Sequence, residues 1–95
     1  MTVEARFALG RLVQTPGAQA AAAPAHVLAC VHRHVTGDWG VIDAHDAQVN
    51  EAALRDGGSI LSAYPIDVRD PGKGMLWVIT DADRSATTVL LPEEY

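Results

Sequence analysis

Residues 59–91 read SILSAYPIDVRDPGKGMLWVITDADRSATTVLL, and this stretch decides the fold. It holds three apolar, β-branched runs: Ser59 to about Val68, Met75 to Thr80, and Ala86 to Leu91. Asp70-Pro71-Gly72-Lys73-Gly74 separates the first two and Asp81-Ala82-Asp83-Arg84 the last two. Both separators have turn composition, because Pro presets φ, Gly accepts positive φ and Asp bonds its own backbone, so the runs are predicted to form an antiparallel meander. Within Met75–Thr80 the alternation puts Trp77 and Ile79 on one face and Leu76 and Val78 on the other. Both sets are apolar, which makes this a central strand with helices over one of its faces.

The residues before this stretch follow a helical period. Asp43 is placed to cap a helix, with Asp46 in the first turn where the helix dipole favours an acid, and Gly57-Gly58 ends it. Pro24 starts another helix through about Val35, with Val27, Leu28, Val31 and Val35 at apolar helical spacing and Gly37 as its stop. Thr15-Pro16 supplies a cap and first helical residue for the alanine-rich run Ala18 to Ala23. Arg6 to Val13 looks like a short strand, with Phe7 and Leu9 on one side and Gly10 as a bend or bulge. The expected fold is α+β: an N-terminal strand and helices packed on one face of an antiparallel β-meander, as one domain over residues 1–95.

Composition narrows the function. Ninety-five residues, 48% hydrophobic and 20% charged, suit a single globular domain that folds alone or as a small homo-oligomer. Cys30 is the single cysteine, so no intrachain disulfide is expected, and Met1 to Gly10 reads as neither a signal peptide nor a spanning segment. A cytoplasmic protein is expected. The formal charge of −5 divides into +1 over residues 1–42 and −6 over residues 43–95. Nucleic acid and anionic membrane are disfavoured as partners, since both need a positive field, and a basic partner protein suits the balance better.

The candidate functional residues fall in three places. His26, Cys30 and His34 are spaced i, i+4, i+8 on one helix, but at about 1.5 Å rise per residue the outer two lie too far apart to share one ion, so no metal is expected. His34 near the helix end could titrate near neutrality, aided by the helix dipole or by Asp38, or it could cap the last carbonyls. Asp38 and Trp39 form the second place, in the Gly37-Asp38-Trp39-Gly40 turn. Trp39 is a core plug or a partner anchor, and the core role is favoured because the chain has only five aromatic residues (two Trp, two Tyr and one Phe). The third place is the second hairpin, where Asp81, Asp83 and Arg84 precede Ser85, Thr87 and Thr88. Arginine beside hydroxyls can bind phosphate or stabilise an oxyanion, or it can form an ordinary turn ion pair. Thr87 and Thr88 must point to opposite faces. Glu93-Glu94-Tyr95 reads as a solvated acidic end. No phosphate-binding glycine loop, CxxC, HExxH or GxSxG occurs, and no cofactor is implied.

Four pieces, residues 7–18 (FALGRLVQTPGA), 33–40 (RHVTGDWG), 50–54 (NEAAL) and 77–95 (WVITDADRSATTVLLPEEY), together resemble a family of small bacterial plasmid-related proteins of plasmids and integrative elements. The resemblance runs over nearly the whole chain. Members of that group also carry the label of a type I restriction methylase subunit, for which a chain of this length lacks the methyl-donor domain. The resemblance implies a mobile-element accessory protein that binds a host or element-encoded protein, in counter-defence or regulation. A second resemblance is one of architecture. Helices followed by a meander look like the metal-independent ribonucleases of the barnase, colicin and RelE-like group, which would make His34, Arg84 and Thr87 or Thr88 catalytic if they share one cleft.

Overall fold

A computed structural model describes residues 4–95; Met1–Val3, part of the stretch read as neither signal nor span, lie outside the described residues. Strand β1 (Arg11–Gln14) leads into helices α1 (Pro16–Ala21), α2 (Pro24–Val35) and α3 (Ala44–Asp56). Strands β2 (Ile60–Pro65), β3 (Met75–Thr80) and β4 (Ala86–Leu90) follow, with 3-10 turns at Pro71–Lys73 and Pro92–Glu94. The chain is α+β. No helix among the described residues is long and apolar enough to cross a membrane.

The caps form where local chemistry places them. Thr15 accepts the Ala18 N–H and Asp43 accepts the Asp46 N–H, each satisfying a donor that the first helical turn leaves unpaired. Gly57 ends α3 at φ 82°.

The sheet order is β1-β4-β3-β2. β2, β3 and β4 form the expected antiparallel meander, but β1 pairs with β4 in parallel, Arg11 beside Ala86 and Gln14 beside Val89, so the sheet is mixed. β1 is also shorter than expected. Phe7 and Leu9 precede it and pack as partly buried side chains under the helices. At Gly10 (φ 63°) a Cβ would stand 2.4 Å from the Arg84 and Ser85 carbonyl oxygens, so only glycine lets the chain enter the sheet this close to the second hairpin.

Registration sorts the side chains into two faces. Ser62, Val78 and Val89 form one cross-strand row on the helix side, and Ile60, Thr80 and Thr87 form the next. Over these rows one apolar cluster joins Ala18, Val27, Cys30 and Val31 to Tyr64, Leu76, Val78 and Val89. A second joins Trp39, Ala53 and Ile60, with Phe7, Ile42, Ala47 and Leu54 packed against it. The opposite face carries Leu61, Ile79 and Thr88 in one row and Ala63, Trp77 and Leu90 in the other. β3 is therefore central, with Leu76 and Val78 under the helices and Trp77 and Ile79 on the far side.

The outer edge of β2 is covered rather than open. The Asn50 side chain on α3 donates to the Leu61 carbonyl (2.7 Å) and accepts the Leu61 N–H (3.1 Å), imitating a neighbouring strand. Two residues on, the Ala63 N–H donates to the Trp39 carbonyl and the Ala63 carbonyl accepts the Val41 N–H. α3 thus lies along the sheet edge, which removes a row of unpaired backbone groups.

Candidate functional site

His34 projects from the last turn of α2 onto the sheet and is fully buried (0% exposed). Its Nδ1 lies 2.6 Å from Ser62 Oγ and its Nε2 2.9 Å from Thr80 Oγ1. Thr80 Oγ1 is 2.7 Å from Thr87 Oγ1, and the Thr87 hydroxyl donates to the Leu9 carbonyl at 2.7 Å. That last bond fixes the direction of the two before it. The Thr87 proton is spent on a carbonyl that can only accept, so Thr80 donates to Thr87 and His34 Nε2–H donates to Thr80; because burial keeps the ring neutral, Nδ1 then accepts from Ser62. His34 is therefore the neutral Nε2–H tautomer. Burial pushes its pKa down to about 4.

This corrects the expectation of a histidine charged or titrating near neutrality. Its ring is wedged between Phe7 (centroids 5.2 Å) and Trp39 (6.1 Å), both edge-on. Asp38 does not approach it, because the Asp38 carboxylate takes two bonds from Arg33, at 2.7 and 3.1 Å, and Arg33 holds it below the usual carboxylate range. Nor does His34 cap α2. The N–H groups of Thr36, Gly37 and Asp38 fold back on the His32, His34 and Arg33 carbonyls, and the Thr36 hydroxyl joins them.

The 37–40 turn is a fastening. Gly40 (φ 76°) runs so close to β2 that a Cβ there would meet the Ala63 carbonyl oxygen at 2.1 Å. The Tyr64 hydroxyl donates to the Asp38 carbonyl at 2.6 Å, and the Arg33 guanidinium lies over the Tyr64 ring. Trp39 is 7% exposed, with its indole N–H on Glu51 Oε2 at 3.2 Å, and Glu51 also accepts two bonds from Arg6. Burial of this kind makes Trp39 a core plug.

Arg84 adopts φ 61°, the left-handed region that costs a side-chain-bearing residue about 1 kcal/mol or more. Its guanidinium explains the geometry, reaching the Gly58 and Ala53 carbonyls at 2.6 and 3.0 Å and the Asp81 and Ala82 carbonyls at 3.1 Å. A cation thus closes the end of α3 and ties it to the hairpin. The Asp83 carboxylate accepts the Ser85 N–H, and Asp81 is exposed beside it. Thr87 is buried on the helix side while Thr88 lies half-buried on the other face. His34 and Thr87 therefore belong to one buried seam, Arg84 to the end of α3, and Thr88 to the opposite surface. The four do not meet in an open cleft.

His26 and Cys30 are 3.6 Å apart, while His26 Nε2 lies 2.9 Å from the Pro65 carbonyl oxygen and His34 turns away to the seam. Burial raises the Cys30 thiol above its ordinary pKa, against a role as a thiolate. The acidic end is exposed, as expected, but Glu94 is also tied down. Glu94 accepts the Thr15 hydroxyl, the Gly17 N–H and the Leu91 N–H, and its bond with Thr15, more than its other partners, lowers its pKa.

Thr88 is the candidate that lies on the open face of the sheet, and the apolar side chains around it were not among the candidates. Leu61, Trp77, Ile79 and Thr88 remain half-exposed there, and Tyr95, 84% exposed, stands edge-on to Trp77 with centroids 5.7 Å apart. A hollow of about 300 Å³ opens between this face and α3, lined by Asp46, Val49, Asn50, Ser59, Leu61, Trp77, Ile79 and Tyr95. Its signal in the sequence was the second apolar set of β3, which demanded a cover that the meander and helices do not both supply. Compared with known proteins, the chain matches no family model, no curated protein and no solved structure.

Proposed function

We propose that this protein works by binding another protein through the open face of its sheet, as a small accessory protein of a mobile element acting in the cytoplasm on a host or element-encoded partner. One observation carries the binding reading: a tryptophan, an isoleucine and a leucine lie half-exposed side by side on a central region of the sheet, bordered by a hollow. Large apolar groups gathered on a rigid sheet are characteristic of interaction surfaces, and tryptophan and tyrosine are the side chains that most often dominate them. The mobile-element setting rests on the sequence resemblance alone.

The polar groups support a scaffold role rather than catalysis. Both ring nitrogens of His34 have protein partners, and its ring is sealed from solvent by Phe7 and Trp39. A general base must reach the proton it removes, and this one is occupied and inaccessible.

The test is affinity capture with the wild-type chain and with a Trp77→Ser, Ile79→Ser variant. A partner held by the first and lost by the second, with folding intact, is the expected result. A partner retained by both, or RNA cleavage by the purified chain that His34→Gln abolishes, contradicts the reading.

A further inference from the structure

The hollow beside α3 does not stand alone. A second, of about 250 Å³, lies among Ile79, Asp81, Thr88, Leu90, Glu94 and Tyr95. Ile79 and Tyr95 line both. Together they make one groove over the open sheet face, from the flank of α3 to the β3–β4 hairpin and the 92–94 turn. The floor is apolar and aromatic. Asp46 stands in the lining of the first hollow, and Asp81 and Glu94 in that of the second, while neither lining contains a lysine, arginine or histidine.

Two of these charges are available to an occupant. Asp46 and Asp81 enter no ion pair among the described residues. Arg84, near Asp81 in sequence, is committed to the Ala53 and Gly58 carbonyls at the end of α3. Glu94 is fixed by Thr15 and Gly17 and adds a further negative charge at the groove wall. From this arrangement we infer that the groove takes a segment of a partner protein whose apolar side chains cover Trp77 and Ile79 and whose lysines or arginines reach the acidic groups of the two hollows. The inference rests on the protein-binding reading above and specifies the chemistry of the partner.

Charge decides between this occupant and the alternatives. A second copy would bring the same acidic groups to the same groove, from a chain of net charge −5, so self-association through this face sets like charges together. An acidic or phosphorylated segment meets the same repulsion. A basic segment gains at both ends, and its cations can also approach the Trp77 and Tyr95 rings, whose faces attract positive charge. The attraction is between largely solvated groups, so it weakens as salt is added.

The experiment uses the full chain, labelled with ¹⁵N, and two short synthetic peptides that share one Leu-Ile-Phe centre, flanked by lysines in one and by glutamates in the other. The lysine peptide is expected to shift the Trp77 indole and the Leu61, Ile79 and Thr88 amides, leaving the Trp39 indole in place. The Asp46→Asn, Asp81→Asn variant should bind it at least about fivefold more weakly, the size two exposed charge pairs provide, with at most a small drop in melting temperature from loss of the Asp46 charge at the start of α3. Equal binding of both peptides at this face, or no loss in the Asn variant, overturns the basic specification while leaving a protein-binding face intact. Absence of any shift at Trp77 and Ile79 with either peptide, or concentration-dependent dimerisation that covers these residues, overturns the groove as a docking site.

Discussion

Trp39 and Trp77 stand on the two sides of one sheet and differ in how far each is buried. Trp39 sits at 7% exposure, its ring against both Phe7 and His34 and its indole N–H on Glu51, at the point where the 37–40 turn, α3 and β2 are fastened together. Trp77 is half-exposed, and its aromatic neighbour is Tyr95, itself mostly in water. One ring stabilises the fold. The other leaves apolar area unburied, which in the proposed function is the area a partner covers. The difference teaches that polarity is a poor guide to exposure in this chain: His34, Thr80 and Thr87 are buried and bonded to one another, while the apolar Leu61, Trp77 and Ile79 remain partly exposed.

The largest expected effect separates the two rings directly. Trp39→Ala should cost about 3–5 kcal/mol, as deletion of a buried aromatic does. Trp77→Ala should cost less, because Trp77 is only partly buried on the open face. Urea unfolding of both variants checks this, and equal losses would erase the distinction between the faces.

The next prediction concerns pH. His34 is held near a pKa of about 4 in the fold against 6.5 when unfolded, so the unfolded chain binds more protons between these values. Stability is therefore complete above pH 6.5 and falls as pH drops towards 4, by about 3 kcal/mol over the window. The carboxylates held low by their partners, Asp38 by Arg33 and Glu51 by Arg6, lose their contribution as pH falls through and below the normal carboxylate range. Measurements between pH 5 and 6.5 thus lie above the range of these carboxylates. His34→Gln should flatten the slope there, and a slope that survives the change would remove His34 as its source.

Thr80→Val sharpens the description of the seam. It keeps the shape but takes the acceptor from His34 Nε2–H and the donor from Thr87, which should cost about 1–3 kcal/mol for leaving buried groups unpaired. Thr88→Val, one residue beyond Thr87 and on the open face, should change stability by less than about 0.5 kcal/mol. A small effect is also expected at the exposed Arg33–Asp38 pair, where Asp38→Asn should change stability by under about 1 kcal/mol despite its short bonds. Thermal melts of the three variants order them.

Much of the fold was legible because its determinants are local. Thr15, Pro16 and Asp43 act on residues within one turn, and the bounds of α2 and β3 coincide with those read from Pro24, the helical period and strand alternation. β1 was read too early, since Phe7 and Leu9 look like strand residues but serve the core before Gly10 redirects the chain. Its parallel pairing with β4 depends on contacts across most of the sequence. The seam was invisible for the same reason: His34 meets Ser62 28 positions away and Thr80 46 positions away, and no periodicity links them. His34 attracted attention through its place at a helix end, yet its direction is set by the sheet beneath. Trp77 and Ile79 were recognised as a second apolar face. What lies over that face depends on packing, because a central strand can be covered on both sides in one fold and on one side in another.

The measurement that tests the account most directly is paramagnetic relaxation by a neutral soluble gadolinium complex on the dilute ¹⁵N-labelled chain, reading the two indole signals side by side. The account predicts strong broadening of the Trp77 indole and of the Ile79 and Thr88 region, with the Trp39 indole and the His34 ring protected. Protection of Trp77 at every dilution, or broadening of Trp39 to the same degree, would contradict the assignment of one face to the core and the other to a partner.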